Sequence, residues 1–415
     1  MKKGNPSRAA LFYKNCIMKE ETILKNVLLD GKGVDIEISG GMISGIVPSQ
    51  CKNKPVVAIL PSFYNTHTHA AMIQMRGYGD DMDLHTWLND WIWPFEAKMT
   101  ADDIENASYD AVQEMISTGT TAFNDMYFEI ERTVKAVQKY GIRSTLGITV
   151  MENHTLAQTQ AKQEFVRNWN DPTGGLIQLI IAPHAIYTVG EERLVDCARF
   201  AREHGLKLHI HLSETQAEVN DCLTLKGLTP VKYLDKIGFL GPDVIAAHCV
   251  HINKEEWDIL AERGVSVSHC PCSNMKLGSG RFPYELALAS GVNITLGTDG
   301  VSSNNNLDMR EEMKFASYLA KCVSASEDGS LKNEGNPELL PAKDIFRMAT
   351  VNGAKALGIN GGEIAVGKVA DFVLLDLDNI AMKPCHNLIS NWVYAAQKDA
   401  IKEVWCNGRT VYKNN

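Results

Sequence analysis

The sequence predicts an α/β protein: a (β/α)8 TIM barrel with a small β-sandwich domain formed from both termini. Three observations carry that expectation. Eight apolar runs alternate with helix-like stretches through the middle of the chain. Both ends instead carry short alternating strands broken by glycine. Histidines gather where the apolar runs end, and a parallel barrel collects its functional groups at that rim.

Taken in order, 22–29 closes at Asp30-Gly31, and 34–38 and 42–46 flank Gly40-Gly41. Period-two alternation with glycine breaks predicts short antiparallel strands. Beyond residue 359 the pattern returns at 372–375, 401–405 and 410–412, and Asn407-Gly408 marks a hairpin between the last two. Residues 1–60 and 359–415 are therefore expected to form one composite domain, and 61–358 the barrel. Barrel strands are predicted at 56–66, 119–126, 142–150, 176–183, 206–212, 243–248, 264–269 and 292–298. Helices are predicted at 101–117, 129–139, 191–204, 254–263 and 304–321. In the first strand the apolar run Val56-Val57-Ala58-Ile59-Leu60 leads straight into Asn65-Thr66-His67-Thr68-His69.

Composition excludes several classes. A net charge of −9 and the lack of a basic block argue against a nucleic-acid or anionic-membrane partner. No apolar run is long enough to span a membrane, and no apolar stretch follows Lys2 and Lys3 as a signal peptide would require. No Gly-x-Gly-x-x-Gly or phosphate loop follows a strand, which disfavours dinucleotide and nucleotide-triphosphate chemistry. Ten cysteines, from Cys16 to Cys406, contain no Cys-x-x-Cys pair, and Cys270-Pro271-Cys272 has the wrong spacing for a zinc ribbon. Reduced, mostly buried thiols in a cytoplasmic enzyme are the expected reading. The oligomeric state stays open, a homo-oligomer included.

His67 and His69 stand two apart on one strand and so share a face. Taken singly, each histidine reads equally well as a core or surface residue; the set along one rim does not. His184, His209, His211, His248, His251 and His269 also fall at or just past strand ends, and Asp299 closes the eighth strand. A catalytic zinc takes three or four ligands from His and carboxylate. His67, His69, a histidine of strand five and Asp299 meet that need, with His211 nearer the rim and His209 one layer deeper. Glu214, three residues on from His211, is placed to move protons; the alternative is a first-turn helix acid following Ser213 as N-cap. His248 is placed to hydrogen-bond the attacking oxygen. His251 and His269 stay unassigned.

Those segments, together with Arg76-Gly77-Tyr78, Trp93-Pro94-Phe95-Glu96, Ser273-Asn274-Met275-Lys276-Leu277 and Gly297-Thr298-Asp299-Gly300, run nearly the full length of the chain. They resemble the amidohydrolase superfamily, in the branch of S-adenosylhomocysteine and 5′-methylthioadenosine deaminases, related to triazine hydrolases. The resemblance implies a hydrolytic deaminase converting an adenine nucleoside to its inosine analogue and ammonia. It implies one divalent metal per chain, zinc or else iron(II), on His67, His69, His211 and Asp299. Pro183-His184 occupies the end of strand four, where two-metal relatives carry a lysine. The resemblance makes Glu214, His248 and Asp299 catalytic. It gives Glu96 the ribose hydroxyls, His184 a substrate contact and Trp87 a place in the ring pocket, where a core tryptophan is the rival reading. Ser62, Ile186 and Ser302 depart from the family pattern, and 152–175 matches none of it. The sister reading is a hydrolase of a free purine, pterin or triazine ring, and a non-catalytic scaffold is the reading from another class.

Overall fold

The computed structural model describes residues 21–323, 332 and 334–414. Lys2, Lys3, Cys16 and the first 20 residues of the expected terminal domain lie outside them. Four strands come first: β1 (Thr22–Leu29), β2 (Lys32–Ser39), β3 (Met42–Pro48) and β4 (Val57–Pro61). Nine follow through the middle: β5 (Phe63–His69), β6 (Thr120–Asp125), β7 (Arg143–Val150), β8 (Ile177–Pro183), β9 (Lys207–Leu212), β10 (Val244–His248), β11 (Ser266–His269), β12 (Asn293–Leu296) and β13 (Asp299–Gly300). The last three are β14 (Phe372–Asp376), β15 (Ile401–Cys406) and β16 (Arg409–Lys413).

The middle strands form one parallel sheet, ordered β12-β11-β10-β9-β8-β7-β6-β5-β13. Its two ends are halves of the same eighth strand. β12 pairs with β11, the chain passes Gly297-Thr298, and β13 pairs Asp299 with Thr68 and Gly300 with His69 on β5. That continuity closes the barrel. Only glycine fits at 297, because an added Cβ would lie 2.7 Å from both His67 Cβ and Ser268 Oγ. All seven residues of β5 and all six of β6 are buried, as expected of strands covered on both faces.

The predicted first strand, 56–66, is in fact two strands in two sheets. β4 lies antiparallel to β14 and parallel to β1, whereas β5 belongs to the barrel. Pro61 has no N–H to carry the ladder onward, and Ser62 turns the chain, its hydroxyl 2.5 Å from that of Thr121. A continuous apolar run shows burial but cannot show which sheet buries it. The predicted helix 304–321 is likewise divided, into Val301–Asn304 and Met309–Cys322, with Asn305 at φ 79° between them. Residues 156–167, inside the stretch that matched no pattern, form a helix started by a Thr155–Gln158 capping box.

The terminal strands make a seven-stranded sheet, ordered β16-β15-β14-β4-β1-β2-β3. It curls until its far edge returns to its middle: Ile43 N–H donates to Lys368 O, and Ala370 N–H to Gly41 O, both at 2.9 Å. One sheet so supplies both layers of the sandwich, around Ile36, Ile38, Ile43, Ile59, Phe372 and Trp405. Asn407 and Gly408 turn the last hairpin with φ of 53° and 74°. A buried ion pair, Arg143 Nε to Asp371 Oδ2 at 2.7 Å, and Phe63 stacked on Trp392 at 5.8 Å fasten the barrel to the C-terminal segment. Trp392 lies on a helix, Leu388–Tyr394, that the strand pattern did not predict.

Candidate active site

The parallel strands bring six histidines and Asp299 to one end of the barrel. His67 and His69 stand on β5, His184 just past β8, His209 and His211 on β9, and His248 ends β10. The coordinating atoms of His67, His69 and His211 lie within 4.8 Å of one another, and so do those of His67, His248 and Asp299. Asp299 Oδ1 is 3.2 Å from the Nε2 atoms of both His67 and His69.

Second partners decide which ring nitrogen faces inward. His69 Nδ1 meets Met126 O at 2.6 Å, and His211 Nδ1 meets His184 O at 2.7 Å, so both Nδ1 atoms donate and both Nε2 atoms keep a lone pair. On the deeper layer His209 Nδ1 donates to Ile245 O, and its Nε2 then accepts from His67 Nδ1, at 2.8 Å each. His67 Nε2 is left as a buried polar atom with no hydrogen-bond partner. Buried polar atoms are rarely left so, and three converging imidazole lone pairs beside a carboxylate fit one divalent cation. Burial depresses His67 to about 4 and His211 well below its ordinary value, so both rings are neutral, as ligands must be. Burial also opposes charge on His69, but Asp299 outweighs it and raises that ring to about 9. Asp299 therefore draws positive charge to this point, and His69 Nε2 keeps its lone pair only where a cation on Asp299 takes the place of the proton. Its other oxygen accepts from Ser273 Oγ at 2.7 Å and Ser303 Oγ at 3.1 Å.

Glu214 sits across from this cluster, buried, with Oε2 3.6 Å from His248 Nε2 and Oε1 accepting from Ser279 Oγ at 3.1 Å. Burial pushes its carboxyl above the ordinary value, which suits a group that must both take and give a proton. His248 is oriented through Nδ1 by Asn274 Oδ1 at 2.8 Å. Ser213 is not the N-cap: Thr215 caps the helix Gln216–Lys226, and Ser213 holds a left-handed φ of 48°. Glu214 therefore precedes the helix instead of lying in its first turn. His248, Cys249 and Asp299 also have φ between 53° and 71°, so backbone strain concentrates at this rim.

Above the cluster, residues 76–97 form a cap. Glu96 ends the short helix Trp93–Glu96 and lines the same cavity as His69, His184, His211, Glu214, His248 and Asp299. Burial raises its carboxyl, and Tyr127 lies beside it. Trp87 answers to both sequence readings: it is buried, it lines the cavity, and its indole N–H donates to Ser302 Oγ at 3.2 Å. Ser302 in turn donates to Tyr78 O at 3.2 Å, so a residue that departs from the family pattern ties the cap to the loop after Asp299. His184 lines the cavity with Nδ1 2.8 Å from Thr188 Oγ1.

Every site residue expected from the sequence lies in or beside this one cavity. His251 and His269 do not join it: His251 Nε2 donates to Ser279 O, and His269 stacks on Phe282 and meets Tyr284 OH. The sequence did not single out Tyr127, Asn274 and Ser279, which lie against Glu96, His248 and Glu214. Their signal, a polar residue within a few positions of a strand end, is shared by most loop residues and singles out none of them. The nine described cysteines are all free, five of them buried, and among the described residues no helix is long and apolar enough to cross a membrane.

The chain is similar to known proteins over most of its length. It is 44% identical over 359 residues to a 5′-deoxyadenosine deaminase of Methanosphaera stadtmanae, covering 86% of this chain and 82% of that one. It is 42% identical over 401 residues to 5-methylthioadenosine/S-adenosylhomocysteine deaminase 1 of Archaeoglobus fulgidus, covering 94% and 92%. The fold superposes with a TM-score of 0.83 on the crystal structure of an adenosine deaminase from Xanthomonas campestris with bound zinc, at 33% identity, covering 91% and 88%. The amidohydrolase family model matches residues 58–411, so with its curled parallel sheet and His/Asp cluster this chain belongs to the amidohydrolase family and is a hydrolase of carbon–nitrogen bonds.

Proposed function

We propose that the protein deaminates an adenine nucleoside whose 5′-position carries a small uncharged group, using one divalent metal per chain. One observation carries this reading. A single cavity has Glu214, His248 and Asp299 at one wall and Glu96 with Tyr127 at another, and among the described residues no Lys or Arg lines it. Leu84, Leu88, Ile92, Trp93 and Phe128 make up much of the rest. A purine fits against the first wall, a ribose diol against a carboxylate at the second, and an apolar 5′-group against the remainder. The zwitterionic tail of S-adenosylhomocysteine brings a carboxylate into a cavity already holding three, and no lining Lys or Arg would pair it. 5′-Deoxyadenosine and 5′-methylthioadenosine fit better; the Methanosphaera relative is named for the first, and the Archaeoglobus relative for the second together with S-adenosylhomocysteine.

A divalent cation on His67, His69, His211 and Asp299 would supply Lewis acidity that eases deprotonation of a water. Zinc suits three imidazoles and a carboxylate best, with iron(II) the alternative. This chain's residues do the rest. Glu214 takes a proton from the attacking water and delivers it to N1 as oxygen adds to C6. His248, held by Asn274, hydrogen-bonds the incoming oxygen. Asp299 receives the second proton, which passes through Glu214 to the exocyclic amine. Ammonia leaves, C6 becomes a carbonyl, and N1 keeps its hydrogen, so water and nucleoside are converted to the inosine analogue and ammonia.

The test is loss of ultraviolet absorbance with parallel ammonia detection on 5′-deoxyadenosine, 5′-methylthioadenosine, adenosine, S-adenosylhomocysteine and adenine. The first two should give the highest kcat/KM, and adenine almost no turnover. Fastest turnover of adenine, or of a pterin or triazine added to the panel, would replace this reading with the sister hydrolase. S-adenosylhomocysteine as the best substrate would overturn the uncharged 5′-group.

A further inference from the structure

The buried carboxylate of Glu218 takes no part in the chemistry above, yet it is tied to the group that does. Its Oε1 accepts from the Ser213 amide and its Oε2 from the Glu214 amide, both at 2.9 Å. The Ser213 carbonyl is held from the other side by the amides of Val250 and His251, at 3.0 and 2.9 Å. The peptide between residues 213 and 214 is thus pinned on both edges, with Ser213 in a left-handed conformation that must be imposed from outside. Further along Glu214, Ser279 Oγ donates to Oε1, which leaves Oε2 toward His248. Ser279 is itself fixed, because its carbonyl accepts from His251 and its amide donates to Asn274 O.

We propose that Glu218 and Ser279 are positioning residues that clamp Glu214, Glu218 at the backbone and Ser279 at the side chain, and so set the direction in which its carboxyl moves protons. The proposal rests on Glu214 being the proton carrier. Fixing a proton donor matters because a misplacement of about 1 Å can cost roughly a hundredfold in rate. The competing explanation is that Glu218 is only the N3 residue of the helix capped by Thr215, whose hydroxyl accepts from the Glu218 amide at 3.2 Å. Glutamine separates the two, since it serves as well as glutamate at N3. Its amide group has one acceptor oxygen, so its NH2 would face one of the two backbone N–H groups, donor against donor.

The experiment is Glu218→Gln and Ser279→Ala in the metal-loaded protein, beside Glu214→Gln. Readouts are kcat and KM on 5′-deoxyadenosine, metal content, melting temperature and amide hydrogen exchange at Ser213 and Glu214. E218Q should lower kcat about 10- to 100-fold with KM within about twofold. Metal content should stay unchanged, and faster exchange should be confined to those two amides. S279A should lower kcat about three- to tenfold, again with KM and metal unchanged. A kcat within twofold of wild type for E218Q would leave it a helix cap and overturn its part. A joint fall of kcat, KM, metal content and melting temperature, or failure to fold, would assign Glu218 a general structural role and overturn it equally; S279A then decides the side-chain part alone. E214Q keeps this apart from the reading beneath it: turnover retained in E214Q removes the proton carrier itself, whereas E214Q inactive with both other variants normal removes only the clamp.

Discussion

Replacing Glu96 by alanine tests whether the cap reads a ribose. The carboxyl sits at the end of the Trp93–Glu96 helix, half-buried, on the wall of the cavity that also holds Asp299. A hydrogen bond to a charged group is worth about 1.5–3 kcal/mol, and partial exposure places Glu96 at the low end. One retained bond then corresponds to roughly tenfold in kcat/KM, and both hydroxyls together, near 3 kcal/mol, to roughly a hundredfold. The assay is a double cycle on wild type and Glu96→Ala, with 5′-deoxyadenosine and its 2′,3′-dideoxy analogue followed by ultraviolet absorbance. Wild type should prefer the diol by at least about tenfold, and the variant should lose nearly all of that preference, because the two changes remove the same contact. If E96A loses activity equally on both substrates, Glu96 shapes the cap without touching the sugar. If wild type does not distinguish them, the ribose assignment is wrong.

Glu214→Gln should cut kcat by roughly 10²–10⁴-fold while the metal stays bound, as steady-state kinetics beside metal analysis would show, since glutamine keeps the volume but cannot cycle a proton. Metal analysis of the purified protein should give one divalent equivalent per chain; chelation and dialysis should abolish turnover, and zinc should restore it. Two equivalents, or full activity after chelation, would contradict the four-ligand site. Asp371→Asn leaves the buried Arg143 without this carboxylate, with Asn407 Oδ1 at 2.9 Å as a neutral acceptor, so denaturant unfolding should show a loss of about 3 kcal/mol, the low end for a broken buried pair. A loss under about 1 kcal/mol would mean that the junction between barrel and terminal sheet does not depend on this pair.

Much of this protein is set by patterns a linear reading can detect. Strand and helix alternated because each barrel strand is buried on both faces and each helix on one, and those burial patterns leave different periods in the sequence. The candidate metal-binding set was legible for the same reason. His67 and His69 lie two apart on a strand, and a parallel barrel takes residues at strand ends, however distant in sequence, to one rim. What local patterning cannot carry is the identity of a partner. The run through Val57 and Phe63 serves two sheets, and only the pairing of β4 with β14 and of β5 with β6 shows where it divides. Glu218 looks like an ordinary third residue of a helix until its carboxylate is seen on the amides of Ser213 and Glu214. Ser302 looks like a neutral departure until its hydroxyl is found between Trp87 and Tyr78. Burial is a property of one residue and repeats along the chain, so the sequence by itself determined the barrel and its rim of candidate metal ligands. A hydrogen bond joins two residues whose separation, 215 positions for Trp87 and Ser302, follows no period, so the tertiary structure alone decided which groups hold the candidate site residues in place.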